Sequence, residues 1–149
     1  MKIDKIGIDL IKKFEGCSLK PYRCPAGIPT IGYGNTYYAN GIRVTMKDLP
    51  ITKEKADELL IDLLEDFEIG VSKQLKSKIT QNQFNALVSF AYNVGLGNFK
   101  SSTLLKKVNL NPDDTTIADE FMKWNRGGGI VLNGLIARRK FESIIYYRK

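Results

Sequence analysis

Residues 14–34 read FEGCSLKPYRCPAGIPTIGYG, a stretch in which one kind of chain gives way to another. It holds Glu15 beside Gly16, both cysteines of the chain (Cys17 and Cys24), and the run Thr30-Ile31-Gly32-Tyr33-Gly34. Before it, Ile3, Ile6, Leu10, Ile11 and Phe14 recur at three- and four-residue steps, which predicts an amphipathic helix over 3–15. Gly16 is placed to stop that helix as the first residue beyond its end. After Gly16 the period changes. Pro21, Pro25, Gly27, Pro29, Gly32, Gly34 and Gly41 break any helix, and the β-prone pieces between them predict a small hairpin sheet. Glu15 therefore falls at the junction of helix and hairpin.

Outward from this junction the pattern is helical. Thr52 caps a long helix with Ala56, Leu59, Leu60, Leu63, Phe67, Val71 and Leu75 on one face, and Gly70 is a point where it kinks or breaks. Thr80-Gln81-Asn82-Gln83 has the form of a capping box, opening a helix through Phe84, Leu87, Val88 and Ala91 that Gly95 and Gly97 stop. A short helix over roughly 102–109 follows. Pro112 opens another through Ile117, Phe121 and Trp124, Gly127-Gly128-Gly129 forms a loop, and a last helix begins near 134. The expectation is a single α+β domain over 1–149: a helix plus β lobe at 1–50, a connecting helix at 51–78, and a helical lobe at 79–149.

Composition narrows the chemistry. The 149 residues carry a net charge of +7, 43% hydrophobic and 26% charged residues, two cysteines and no histidine. This is the profile of a globular protein with an anionic partner: nucleic acid, a membrane surface or a cell wall. Without histidine there is no Ser-His or Cys-His pair, and two cysteines are too few for a four-ligand zinc site, so no metal or other cofactor is expected. No run of basic residues suggests a nucleic-acid arm. No apolar run approaches the ~20 residues that span a bilayer, and the charged start is not a secretory signal, so stable membrane insertion is not expected. Carboxylates, hydroxyls and a thiol are left to carry any reaction.

Glu15 is the leading candidate. At a helix C-terminus the macrodipole disfavours a negative charge, and Phe14 and Ile11 border it with apolar surface. Both effects favour the protonated acid, the state a general acid needs near neutral pH. The bland alternative is a solvated surface glutamate. A hairpin folding back from the helix end brings Cys24 and Thr30 to one side of a shared cleft; the alternative is a turn without chemical duty.

The spacing Glu15, eight residues, Cys24, five residues, Thr30 resembles the Glu-x8-Asp/Cys-x5-Thr signature of phage-type lysozymes, the endolysins of tailed phages. EGCSLKPYRCPAGIPTIGYGNT, QNQFNALVSFAYNVGLGNFKSSTLLKKVN and FMKWNRGGGIVLNGLIARRKFE resemble that family's three blocks in order and spacing. Only residues 40–79 are generic. The resemblance implies a glycoside hydrolase, a muramidase cutting the β-1,4 bond between N-acetylmuramic acid and N-acetylglucosamine of peptidoglycan. It implies a mostly helical two-lobed fold with a long connecting helix and the substrate cleft between the lobes. Glu15 then takes the general-acid role and Thr30 holds water or substrate, with inversion at the anomeric carbon.

Cys24 stands where most members have an aspartate, and acts either as a thiolate or by positioning the water. Asn35 stands where a histidine is usual. Family positions make Thr36, Tyr92 and Ser102 substrate-binding candidates, each with packing or capping as the alternative. Trp124 is read as core, and Arg138 and Arg139 either reach toward Glu15 or lie on a solvated helix face. The implied setting is a monomeric endolysin, released by a holin from the host cytoplasm to the periplasm and wall. Some relatives with a catalytic cysteine carry an N-terminal signal-anchor; none is read in this sequence, which implies either holin-dependent release or a chain trimmed of that segment. A catalytically inactive wall-binding module is the alternative function; a nucleic-acid binder falls behind both. Cys17 and Cys24 are either a redox switch, closing a disulfide that disables the site, or two unrelated thiols with Cys17 buried beside the helix end.

Overall fold

A computed structural model describes all 149 residues. In chain order the elements are α1 (Lys5–Glu15), β1 (Ser18–Arg23), β2 (Pro29–Gly32), α2 (Lys53–Gln74), α3 (Gln81–Val94), α4 (Leu96–Ser101), α5 (Thr103–Leu110), α6 (Ile117–Met122), β3 (Arg126–Gly127), β4 (Ile130–Val131) and α7 (Asn133–Tyr147). The result is the expected mostly helical α+β fold with a small hairpin near the N-terminus. The chain divides into two compact units, 15–66 and 1–14 with 67–149. The first helix was expected with the β lobe. Residues 1–14, and with them all of α1 except Glu15, instead belong with the C-terminal helices.

In the 15–66 unit, β1 and β2 pair antiparallel, with Tyr22 opposite Thr30, Arg23 opposite Pro29 and a register shift between Ser18 and Tyr22. A tight turn joins them: the Gly27 amide donates to the Cys24 carbonyl at 2.7 Å. Gly27 has φ +80°, a left-handed conformation that favours glycine. Beyond β2 the chain doubles back through a second reversal, where Ile31 and Asn35 exchange backbone hydrogen bonds at 2.9 Å. Ile31, Val44 and Leu59 form the small core, with Tyr38 and Ile51 packed against it. Leu59 comes from α2, whose start is capped as expected by Thr52, the Lys55 amide donating to its hydroxyl at 3.1 Å.

In the other unit, the Ile3 amide donates to Glu68 at 2.7 Å, and Asp4 and Asn85 exchange hydrogen bonds at 2.7 and 3.1 Å. These contacts tie the N-terminus to α2 and α3. The capping box at Thr80 and Gln83 forms in both directions, leaving neither helix-end amide without an acceptor. From Gln83 to Ala91 every residue of α3 is buried. Phe90 is the hub, its ring 5.6 Å from those of Phe121 and Trp124 and 6.3 Å from that of Phe99. Truncating such a ring to alanine costs about 3–5 kcal/mol.

Four local expectations are corrected. Leu96–Ser101 is a helix of its own, because Gly95 at φ +93° ends α3 and lets the chain turn straight into another turn of helix. Pro112 does not open a helix; α6 starts at Ile117. Gly128 and Gly129 at φ +59° and +83° make a two-residue hairpin turn between β3 and β4, not a loop. Gly70 neither breaks nor ends α2. A Cβ there would meet Leu96 at 2.6 Å, so glycine is where α4 packs onto the helix.

Candidate active site

Glu15 is the last residue of α1, half-buried, and Gly16 follows at φ +67°. That left-handed step turns the chain out of the helix and into β1. Two residues on, the strand begins that carries Tyr22 and ends just before Cys24. Glycine at 16 is thus what sets the acid at the head of the hairpin.

The hairpin brings Cys24 and Thr30 together, as the spacing predicted. The Cys24 amide donates to the Ile28 carbonyl at 3.1 Å, closing the turn. The half-exposed Cys24 sulfur then lies within reach of the Ile28 and Ala26 amides and the Thr30 hydroxyl. Hydrogen bonds from these groups, the Ile28 amide foremost, hold the thiol below its ordinary pKa of 9.0 against the opposing effect of burial. Thr30 is 2% exposed, and its hydroxyl also faces the Ile28 carbonyl at 2.8 Å. The arrangement is a small anion cradle. It favours the thiolate, the form that can accept a proton or hold a water.

Tyr22, which the sequence reading passed over, belongs to the same place. Burial pushes its phenol above the ordinary value of 10.0, and the negative charges of Glu15 and Cys24 push in the same direction. Its signal in the sequence was strand alternation: it lies two residues before Cys24, on the same face of β1.

Asn35 is 3% exposed, its Nδ2 donating to the Leu59 carbonyl at 3.1 Å. It lines a cavity of about 290 Å³ with Tyr37, Tyr38, Asp62 and Asp66, among others. Asn35 thus supports α2 against the hairpin. Tyr33 is buried, its ring 4.5 Å from the Lys53 ammonium and its hydroxyl donating to Asp57 at 3.0 Å.

Among the substrate-binding candidates, Thr36 is half-buried and its carbonyl accepts from the Val44 amide at 2.9 Å. Tyr92 packs on Phe67, ring centroids 5.1 Å apart. Ser102 is the N-cap of α5, its hydroxyl accepting from the Leu105 amide at 3.1 Å and donating to the Phe99 carbonyl at 2.7 Å. Tyr92 and Ser102 belong to the unit of residues 67–149, and Thr36 to that of 15–66. Trp124 is half-buried against Phe90.

Arg138 and Arg139 do not form a solvated face: they are 3% and 0% exposed. Arg138 Nε lies 3.3 Å and Arg139 Nε 2.9 Å from Glu142, itself wholly buried, and Ser89 donates to Glu142 at 2.6 Å. Burial raises the Glu142 carboxyl pKa, and the two guanidiniums pull it back. Glu142 was not singled out from the sequence; its signal was the i+3 and i+4 spacing from two arginines.

Both cysteines are free, and Cys17 is exposed rather than buried. The strand β1 lies between them, Ser18 opposite Gly32 near one end and the Cys24 amide bonded to the Ile28 carbonyl at the other, so they stand at opposite ends of the hairpin. A disulfide needs Cα atoms within ~7 Å, so closing one would require β1 to come off β2. No group of three or more acidic, cysteine or histidine side chains is placed to hold a metal ion.

The profile of the phage lysozyme family matches residues 12–142. The chain is 46% identical to an endolysin of Bacillus phage B103 over 98% of its own length, and it spans 54%, about half, of that relative. It is 39% identical to an endolysin of Acyrthosiphon pisum secondary endosymbiont phage 1, covering 98% of both chains. Among solved structures, an endolysin from Escherichia coli O157:H7 phage FAHEc1 superposes with a TM-score of 0.90 at 39% identity, covering 99% of this chain and 94% of that one.

Proposed function

The chain belongs to the phage lysozyme family, and on that premise we propose that it is a peptidoglycan muramidase. It hydrolyses the β-1,4 bond between N-acetylmuramic acid and N-acetylglucosamine. Glu15 is the general acid and protonates the glycosidic oxygen as the bond breaks. Cys24, as the thiolate, and Thr30 hold a water on the opposite face of the sugar, and the thiolate accepts its proton. Direct displacement by that water inverts the anomeric carbon.

The observation that carries this reading is the cradle on the hairpin. A thiol at its ordinary pKa is mostly neutral at pH 7 and a poor base. The Ile28 and Ala26 amides and the Thr30 hydroxyl beside the Cys24 sulfur lower that pKa and shift the balance toward the thiolate. The net charge of +7 suits an anionic wall polymer.

The test is whether the purified chain clears a suspension of outer-membrane-permeabilised bacteria and releases new muramic acid reducing ends, while Glu15→Gln does neither. A folded chain without either activity would leave only the wall-binding alternative. NMR of fresh product should show the α anomer; a β product, or a glycosyl group trapped on Cys24, would refute direct displacement.

The same reading makes the enzyme a monomeric endolysin of phage or prophage origin that acts in host lysis. No helix is long and apolar enough to cross a membrane. In that setting a partner such as a holin releases it from the host cytoplasm to the periplasm and wall.

A further inference from the structure

We propose that Tyr22 is a substrate-contacting residue, its phenolic O–H donating to a saccharide oxygen beside the Cys24–Thr30 pair. Tyr22 lies opposite Thr30 and Arg23 opposite Pro29, and the Cys24 amide reaches the Ile28 carbonyl at 3.1 Å, so the ladder runs unbroken to the turn. Residues directly across an antiparallel pair share a face, as do alternate residues of one strand. Tyr22, Cys24, Ile28 and Thr30 therefore line one face of the hairpin, and Arg23 and Pro29 the other.

On that face Thr30 is buried, its one hydroxyl proton shared between the Ile28 carbonyl and the Cys24 sulfur while its oxygen can still accept. Tyr22 is 39% exposed, and its hydroxyl has no hydrogen-bond partner in the protein. An open aromatic ring with an uncommitted donor presents what a sugar offers complements for: an apolar face and hydroxyl or amide oxygens. The phenol also stays protonated, since burial and the charges of Glu15 and Cys24 all raise its pKa. It remains a donor throughout the range in which Cys24 ionises.

The inference rests on the muramidase reading, and kinetics on soluble uncross-linked glycan strands separate the two. Tyr22→Phe should raise KM roughly 3- to 10-fold, the worth of one hydrogen bond, with kcat and Tm nearly unchanged and the ratio constant with pH. Tyr22→Leu, which also removes the ring, should raise KM further. Unchanged KM in both variants, with the unsubstituted chain active, would overturn the role of Tyr22 alone. If the unsubstituted chain does not cut the strands, the muramidase reading fails instead. Calorimetric binding of the same strands to Glu15→Gln and to the Glu15→Gln, Tyr22→Phe double variant then decides for Tyr22. Equal affinity would overturn it, and several-fold weaker binding in the double variant would support it.

Discussion

The charges of residues 67–149 and those of the hairpin are handled in opposite ways. Arg138, Arg139 and Glu142 are buried, and guanidiniums flank the carboxylate at 2.9 and 3.3 Å. Glu15 and Cys24 are only half-covered, and backbone amides and a hydroxyl surround the sulfur in place of a formal countercharge. A buried ion triad is locked: removing one member strands the others in low dielectric. A group held by amides keeps its proton negotiable, since neither state is fixed by a neighbouring ion. The first arrangement holds a fold and the second can run a reaction.

Breaking this contrast most sharply is Glu15→Gln. Activity should fall ~10²-fold or more, the usual worth of general-acid catalysis, while Tm holds or rises. Lysis assays and thermal denaturation read the two effects, and wild-type turnover in the variant would remove Glu15 from the mechanism. Glu142→Ala should do the reverse, costing about 3–5 kcal/mol by leaving two buried guanidiniums without their carboxylate. At ~2–4 °C per kcal/mol for a chain of this size, Tm should drop by about 10 °C. A loss below ~1 kcal/mol would show that the triad is not locked.

Cys24 sharpens the contrast through pH. Its thiol pKa is lowered in the folded chain, so the ionised sulfur's contribution to stability is fully present above the ordinary thiol value and disappears as pH falls through the lowered one. Activity should show an acid limb at that same lowered value. Cys24→Asp should keep activity and move the limb into the carboxylate range, and Cys24→Ser should lose most of the rate. An unchanged acid limb in Cys24→Asp would assign it to another group. The smallest effect expected is that of Thr80→Ala, which removes a capping box remote from any chemistry. It should cost about 1 kcal/mol and leave kcat untouched; a lower kcat per folded molecule would blur the division between the two regions.

Legibility from sequence followed the range of the forces involved. Glu15 at a helix end, Gly16 beyond it, and the Thr52 and Thr80 caps are decided within a few residues, and the sequence alone placed them. The Cys24–Thr30 meeting was legible because a five-residue spacing with Pro and Gly admits little besides a hairpin. What escaped depends on partners far along the chain. Gly70 looked like a weak point in α2 because Leu96, which fills the place of its side chain, lies 26 residues away. The burial of Arg138 and Arg139 was not legible locally because Ser89 and Phe90, on which they pack, come from another helix. The assignment of residues 1–14 to the C-terminal unit rests on contacts such as Asp4 with Asn85, which no local pattern announces.

That last feature has a consequence in time. Domains fold as units while the chain is made at ~5–20 residues per second. The unit of residues 15–66 is one continuous run and can fold as soon as it emerges, whereas α1 must wait until Asn85 and the helices around it exist. Glu15 ends that waiting helix. A nascent or prematurely ended chain therefore carries the hairpin, with Glu15 at its head, before the rest of α1 has helices to pack on.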